Sequence, residues 1–215
     1  MSKVFNIENW KRKEHFLFFK DFEEPFFGVT FNADVSDLYN RSKKEGFSFY
    51  SGYLFCALKA ANEIMEFRLR LRPDDSLVLH DSIGASPTVH RPDNTFGFSY
   101  LDYHPDFLVF AEMAQKESEK TKKDHHLVPS SDDDTIHFTA LPWIQFTSIS
   151  HARSFGRRES IPKIAFGKFF DEGSKKLMPV SVHANHAVMD GYHVGLFAEK
   201  FQEYLNQKLV KKKTT

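Results

Sequence analysis

Apolar positions along the chain switch repeatedly between a helical period and a strand period of two. "NWKRKEHFLFFK" has helical spacing, with Trp10, Glu14 and Phe18 stepping by four. "FFGVTFNADV" alternates like a strand and ends at Asp34, a candidate helix cap. "DVSDLYNRSKKEG" then predicts a helix stopped by Gly46, and "SFYSGYLFCALKAANEIMEF" predicts a buried one. "SLVLHDS", "SPTVHRP" and "TFGFSYLDY" predict strands separated by turn residues. "PDFLVFAEMAQKESEKTKK" predicts a helix with Pro105 near its start. Three further strands are predicted in "IHFTALPWIQFTSIS", "IPKIAFGKFF" and "KLMPVSVHANHAV". An amphipathic helix with a basic end, "GYHVGLFAEKFQEYLNQKLVKKK", closes the order. Helices mixed with strands of this kind predict an α+β protein: a two-layer sandwich with a mixed, largely antiparallel sheet. No linker-like stretch or repeat divides it, so one domain over 1–215 is expected.

Composition narrows the class. With 41% hydrophobic and 27% charged residues, the chain reads as a soluble globular protein. Its 29 basic and 29 acidic residues cancel, leaving no global field for nucleic acid or a membrane surface. A single cysteine, Cys56, excludes an internal disulfide and fits a reducing compartment; its apolar neighbours suggest an inert thiol. With no span-length apolar run and no signal-like start, a cytoplasmic location is expected. The 24 phenylalanines suit either a Phe-rich core or an aromatic pocket.

The chemistry concentrates in "VSVHANHAVMDGYHVGLF", residues 180–197. As a strand, it places Met178, Val180, Val182, Ala184, His186 and Val188 on one face and His183 and Asn185 on the other. His186 is then a lone imidazole in an apolar row. It is either a core histidine or a general base kept neutral by burial. His183, His186, Asp190 and His193 are formally possible metal ligands. Alternation separates the first two, and Gly191 interrupts the helix that would gather the rest, so no metal is expected.

"HAVMDGYHV" resembles the signature of the chloramphenicol acetyltransferase family and the wider H-x-x-x-D-G motif of acyl-CoA-dependent acyltransferases. "NWKRKEHF" and "TALPWIQFTSIS" resemble two further segments of that family, in the same order along the chain. The resemblance implies a single-domain acetyltransferase that uses acetyl-CoA as co-substrate and a small hydroxylated acceptor such as chloramphenicol. It also implies a homotrimer with active sites at the subunit interfaces.

By the same resemblance, His186 is the catalytic base and Ser148 steadies the oxyanion of the tetrahedral intermediate. Asp190 is a structural aspartate, and Arg12 is the arginine that pairs with it. Phe18, Phe19, Phe96 and Phe98 fall in the acceptor-binding regions. Ala165 stands where the resistance enzymes carry a threonine. Lys168 and Phe169 of "GKFF" match the lysine and aromatic that meet the adenine end of CoA. Two departures bear on the acceptor, Ala165 and Phe98, which is bulkier than the small residue expected there; Asn185 replaces the first of the usual paired histidines, and the matched base is the second. Acylation of a different hydroxylated acceptor and non-catalytic binding by a trimer are the alternatives.

Overall fold

The structure, a computed structural model, describes residues 1–129, 132–154 and 159–210. The predicted basic end at 211–213 lies outside them, as do 130–131 of the polar loop "SSDDDT". In chain order the helices are α1 (Lys13–Phe19), α2 (Ser36–Glu45), α3 (Phe49–Asn62), α4 (Phe107–Lys123) and α5 (Gly191–Asn206), with a 3-10 turn at Met65–Arg68. The strands are β1 (Ser2–Phe5), β2 (Phe26–Asp34), β3 (Leu69–Leu71), β4 (Leu77–His80), β5 (Gly84–His90), β6 (Phe96–Phe98), β7 (Thr135–Leu141), β8 (Lys163–Gly167), β9 (Phe170–Glu172) and β10 (Lys175–Asn185).

The main sheet runs β2-β10-β8-β7-β5-β6, with β9 beside β10. β7 pairs in parallel with β5 and with β8, and the other ladders are antiparallel. β1, β4 and β3 form a separate small antiparallel sheet. The α+β expectation of a mixed, largely antiparallel sheet with packed helices therefore describes the fold.

Alternation explains the layering. On β10, Met178, Val180, Val182 and Ala184 join Ile164 and Phe166 of β8 and Ile136 and Phe138 of β7 in the main core. Leu54, Phe55 and Leu58 of α3, Phe107 and Phe110 of α4, and Phe197 and Phe201 of α5 cover that face. Local signals hold at several boundaries. Gly46 adopts φ 77°, the left-handed cap that ends α2. Asp34, predicted as the cap, ends β2 one residue before the actual N-cap, Val35, and accepts hydrogen bonds from the backbone and hydroxyl of Ser36 at the start of α2. Cys56 is fully buried in α3, and burial pushes its thiol up to about 12, which makes it inert.

Several predicted boundaries shift. Trp10 precedes α1, whose buried residue is Phe16, while Phe18 is 64% exposed. The strand predicted at 136–150 ends at Leu141, so Ser148 lies in an irregular segment. β1 and β3 have no counterpart in the sequence reading; they are three or four residues long, too short for a clear period.

A second, smaller core decides the position of the conspicuous histidine. Phe16 of α1, Leu69 and Leu71 of β3 and Leu77 of β4 pack with Ala187 and Val188. Both of the last two are fully buried and follow His186, the first residue after β10. The turn that leaves the main sheet is thus anchored in a different apolar cluster from the strand that leads into it.

Candidate active site

β10 ends at Asn185, so His186 is not the next residue of the strand's apolar row, as its spacing predicted. Asn185 builds the turn instead. Its side-chain oxygen accepts from the Ala187 amide at 2.8 Å, and its carbonyl accepts from Val188 and Met189. Its amide nitrogen donates to the Glu159 carbonyl at 2.9 Å. Buried to 2% exposure, Asn185 satisfies its polar groups within the fold.

His186 is fixed at both peptide ends. Its backbone amide donates to the Pro25 carbonyl at 2.8 Å. Its own carbonyl accepts from Arg12 Nη2 at 2.9 Å. The imidazole stacks on Phe19, with centroids 4.5 Å apart and planes at 12°, and meets Phe27 of β2 at 4.3 Å. Nδ1 is buried and has no hydrogen-bond partner of good geometry among the described residues. Burial and then the Arg12 charge hold the ring's pKa below its ordinary 6.5, against the opposing pull of Asp190. A neutral imidazole is the form that can accept a proton.

Arg12, 7% exposed, donates its other terminal nitrogen to Asp190 Oδ2. Asp190 is the N-cap of α5. Its Oδ1 accepts from the Tyr192 amide at 3.0 Å and meets His193 Nδ1 at 2.9 Å. Gly191 therefore begins α5 rather than interrupting a helix. Asp190 and His193 are engaged with each other, while His186 lies between two phenyl rings. Among the described residues, no three acidic, histidine or cysteine side chains are placed to share a metal ion.

The other predicted site residues lie elsewhere. Register aligns Gly28, His183, Lys163, His137 and Ser86 across the face of the sheet opposite the main core. Ser181, Ala165 and Thr139 form the next row. Ala165 is fully buried there. Residues 142–154 cover part of this face. His151 meets His183 edge-on at 4.9 Å, Arg153 lies over Phe26, and Phe146 packs beside Gly167. Ser148 belongs to this covering segment and is exposed. Phe96 and Phe98 line a hollow of about 380 Å³ with His137, His151, Arg153 and Lys163. Burial pushes the His151 ring down to about 4, with the neighbouring His183 adding to the effect.

Lys168 and Phe169 line a separate, mainly apolar cavity of about 410 Å³ with Phe49, Tyr50, Tyr53 and Phe166. The structure thus joins Arg12, Phe19, His186 and Asp190 in one constellation. It places Ser148, Phe96, Phe98 and Ala165 on the opposite side of the sheet from the main core, and Lys168 and Phe169 at a third location. Phe18 touches Phe19 and Phe22 at the exposed rim of α1. Sequence reasoning missed Phe27, Tyr50, His137 and His151. Their types were visible, but nothing in their spacing pointed to a shared surface.

The overall shape is similar to that of a dihydrolipoamide acetyltransferase of Azotobacter vinelandii, with a TM-score of 0.68, 16% identity, and 85% of this chain and 82% of that chain covered. At that identity the likeness shows the fold. A solved chloramphenicol acetyltransferase matches with a TM-score of 0.89 and 31% identity over 95% of this chain and all of the other. Among curated relatives, chloramphenicol acetyltransferase 3 of Escherichia coli is 31% identical, with 95% of this chain and 97% of the relative covered. The Proteus mirabilis chloramphenicol acetyltransferase is 29% identical, with 95% and 94% covered. These matches define an acyltransferase. The family profile of chloramphenicol acetyltransferase matches residues 2–202, and the chain belongs to that family.

Proposed function

We propose that the protein transfers acetyl from acetyl-CoA to a hydroxyl of chloramphenicol, with His186 as general base. The observation that carries this reading is the clamped, neutral His186 beside the Arg12–Asp190 pair on this family's scaffold. With Nδ1 buried, Nε2 is the working nitrogen. It takes the proton of the acceptor hydroxyl as the oxygen attacks the thioester carbonyl. The Ser148 hydroxyl donates to the resulting oxyanion. Collapse breaks the carbon–sulfur bond, and the imidazolium returns its proton to the departing CoA thiolate. Base catalysis supplies about 10²–10⁴-fold and one oxyanion donor about 10²–10³-fold.

The active site is shared between subunits of a homotrimer in this reading. His186 sits between Phe19 and Phe27, and Phe27 packs against the main core. Ser148 belongs to the segment covering the opposite face of the sheet. A neighbouring copy that brings its own Ser148 segment to His186 completes the constellation. Lys168 and Phe169 hold the adenine end of CoA at the aromatic cavity. No metal takes part, and the enzyme works in the cytoplasm; among the described residues no helix is long and apolar enough to cross a membrane.

A second reading, acetylation of a different hydroxylated acceptor, is favoured by the hollow beside Phe96 and Phe98. Two imidazoles, His137 and His151, line it with Lys163 and Arg153, a polar wall for a nitrophenyl ring. Thiol release from acetyl-CoA, measured with chloramphenicol and with a panel of other alcohols, tests both readings. Turnover with chloramphenicol supports the first. Turnover confined to other alcohols replaces it with the second, and none with any alcohol removes both.

A further inference from the structure

The Arg12–Asp190 pair continues further into the protein. His193, on the first turn of α5 and 7% exposed, has one ring nitrogen against each of two carboxylates. Nδ1 is 2.9 Å from Asp190 Oδ1, and Nε2 is 3.4 Å from Glu66 Oε1. Glu66 lies on the 3-10 turn that follows α3, and its side chain is 14% exposed. Burial works to raise the Glu66 carboxyl, but the facing His193 imidazole and the nearby Arg12 outweigh it and keep the group below its ordinary value.

We propose that Glu66 and His193 are positioning residues for His186, forming with Asp190 and Arg12 a continuous chain of acidic and basic side chains that ends on the His186 carbonyl. This rests on the acetyltransferase reading above. The geometry gives the chain a function beyond capping a helix. Asp190 must aim Oδ2 at Arg12 while Oδ1 serves the cap, so the orientation of its carboxylate sets where Arg12 points. Arg12 in turn holds the peptide that carries the base. His193 holds Asp190 from the side opposite Arg12, its Nδ1 accepting from the Asp190 amide at 3.2 Å and lying 2.9 Å from Oδ1, and Glu66 fixes the imidazole. Glu66 is also tied to the main core, because the adjacent Phe67 stacks on Phe197 of α5 at 5.2 Å. The chain thus refers the catalytic turn to the rigid helix layer.

Glu66→Gln keeps the shape and removes the charge. His193→Asn keeps an amide near the Nδ1 position, preserving the cap, but cannot reach Glu66. Each should lower kcat about tenfold, less than the roughly 100-fold of a full 1 Å misplacement. KM for acetyl-CoA should stay within about twofold, since ground-state binding is untouched. The double variant should lose no more than either single one, because both cut the same link. An unchanged kcat, a loss confined to KM, or losses that multiply in the double variant overturns the proposal. Should Glu66→Gln fail to fold, His193→Asn alone decides by its kcat and KM.

A second readout needs no acceptor: the ¹⁵N resonances of the His186 ring. They should move in Glu66→Gln and stay in place in Glu63→Gln, whose carboxylate instead pairs with Lys200. Unmoved His186 resonances in Glu66→Gln overturn the chain. Wild-type protein that acetylates no alcohol overturns the acetyltransferase reading and leaves the NMR result to decide the chain.

Discussion

The two cores are closed in different ways. The main core seals the helix layer against the sheet with side chains such as Phe166, Phe197 and Phe201, all at most 1% exposed. Its ring stacks, Phe197 on Phe201 at 5.7 Å and Phe67 on Phe197 at 5.2 Å, are apolar throughout. The small core beneath the turn that carries His186 contains far fewer residues. Beside it, polar groups complete the seal: Arg12, Asp190, His193 and Glu66 tie down the turn where apolar area is short. Apolar packing is non-directional and tolerates many arrangements of similar volume. Directed hydrogen bonds to one carbonyl do not. The molecule therefore uses packing for bulk stability and directional polar contacts where one imidazole must stay in place.

His186→Ala tests the directional side most severely. It should cut turnover by about 10²–10⁴-fold while melting and CoA binding change little. Retention of more than about a tenth of wild-type turnover in the purified variant would remove the general-base role. Phe110→Ala, at a fully buried position where α4 meets Phe55 of α3, tests the other side. Cavity formation should cost about 3–5 kcal/mol of stability, read by denaturant titration. The kcat of the folded fraction should stay near wild type; a large fall would erase the division of labour between the cores.

Asp190→Asn belongs to both. It should lower kcat with little change in KM and reduce stability by about 2–3 kcal/mol. That is below the cost expected for a fully buried pair, because Asp190 is 31% exposed. Combined with Arg12→Val, the loss should be smaller than the sum of the two singles, and simple additivity in a double-mutant cycle would show the pair is not coupled.

The smallest effect is in pH. As the proposed base His186 must be neutral to act, and burial with Arg12 holds it below 6.5. The kcat/KM profile should therefore be level above neutrality and fall as pH drops through a midpoint below 6.5. Arg12→Val removes a charge that lowers the ring and should move this limb to higher pH. Asp190→Asn removes one that raises it and should move the limb lower. Limbs that move the opposite way would contradict the electrostatic account.

Some of this was legible locally. The alternation of Met178, Val180, Val182 and Ala184 marked the buried face of β10 because strand side chains repeat every two residues. Gly46 marked the end of α2, where a left-handed residue was required. The motif segments named the family and pointed to Arg12, His186 and Asp190. The same alternation misplaced His186, because a period does not announce the turn where it stops. That turn depends on Asn185, whose side chain closes it locally and reaches the Glu159 carbonyl, 26 residues away. Arg12 and Asp190 are 178 residues apart, and no spacing rule connects positions so distant. Phe27 reaches His186, and His183 joins Lys163 and His137 in one row, only through the register of paired strands. The sequence by itself determined most of the elements and their buried faces, since these depend on neighbours within a turn or a strand, and the family resemblance of its motifs pointed to His186 as the candidate base. Tertiary structure decided the turn that carries His186, the second core that seats it and the chain of polar side chains that ends on its carbonyl, since each is made by contacts between segments that meet only when the chain has folded.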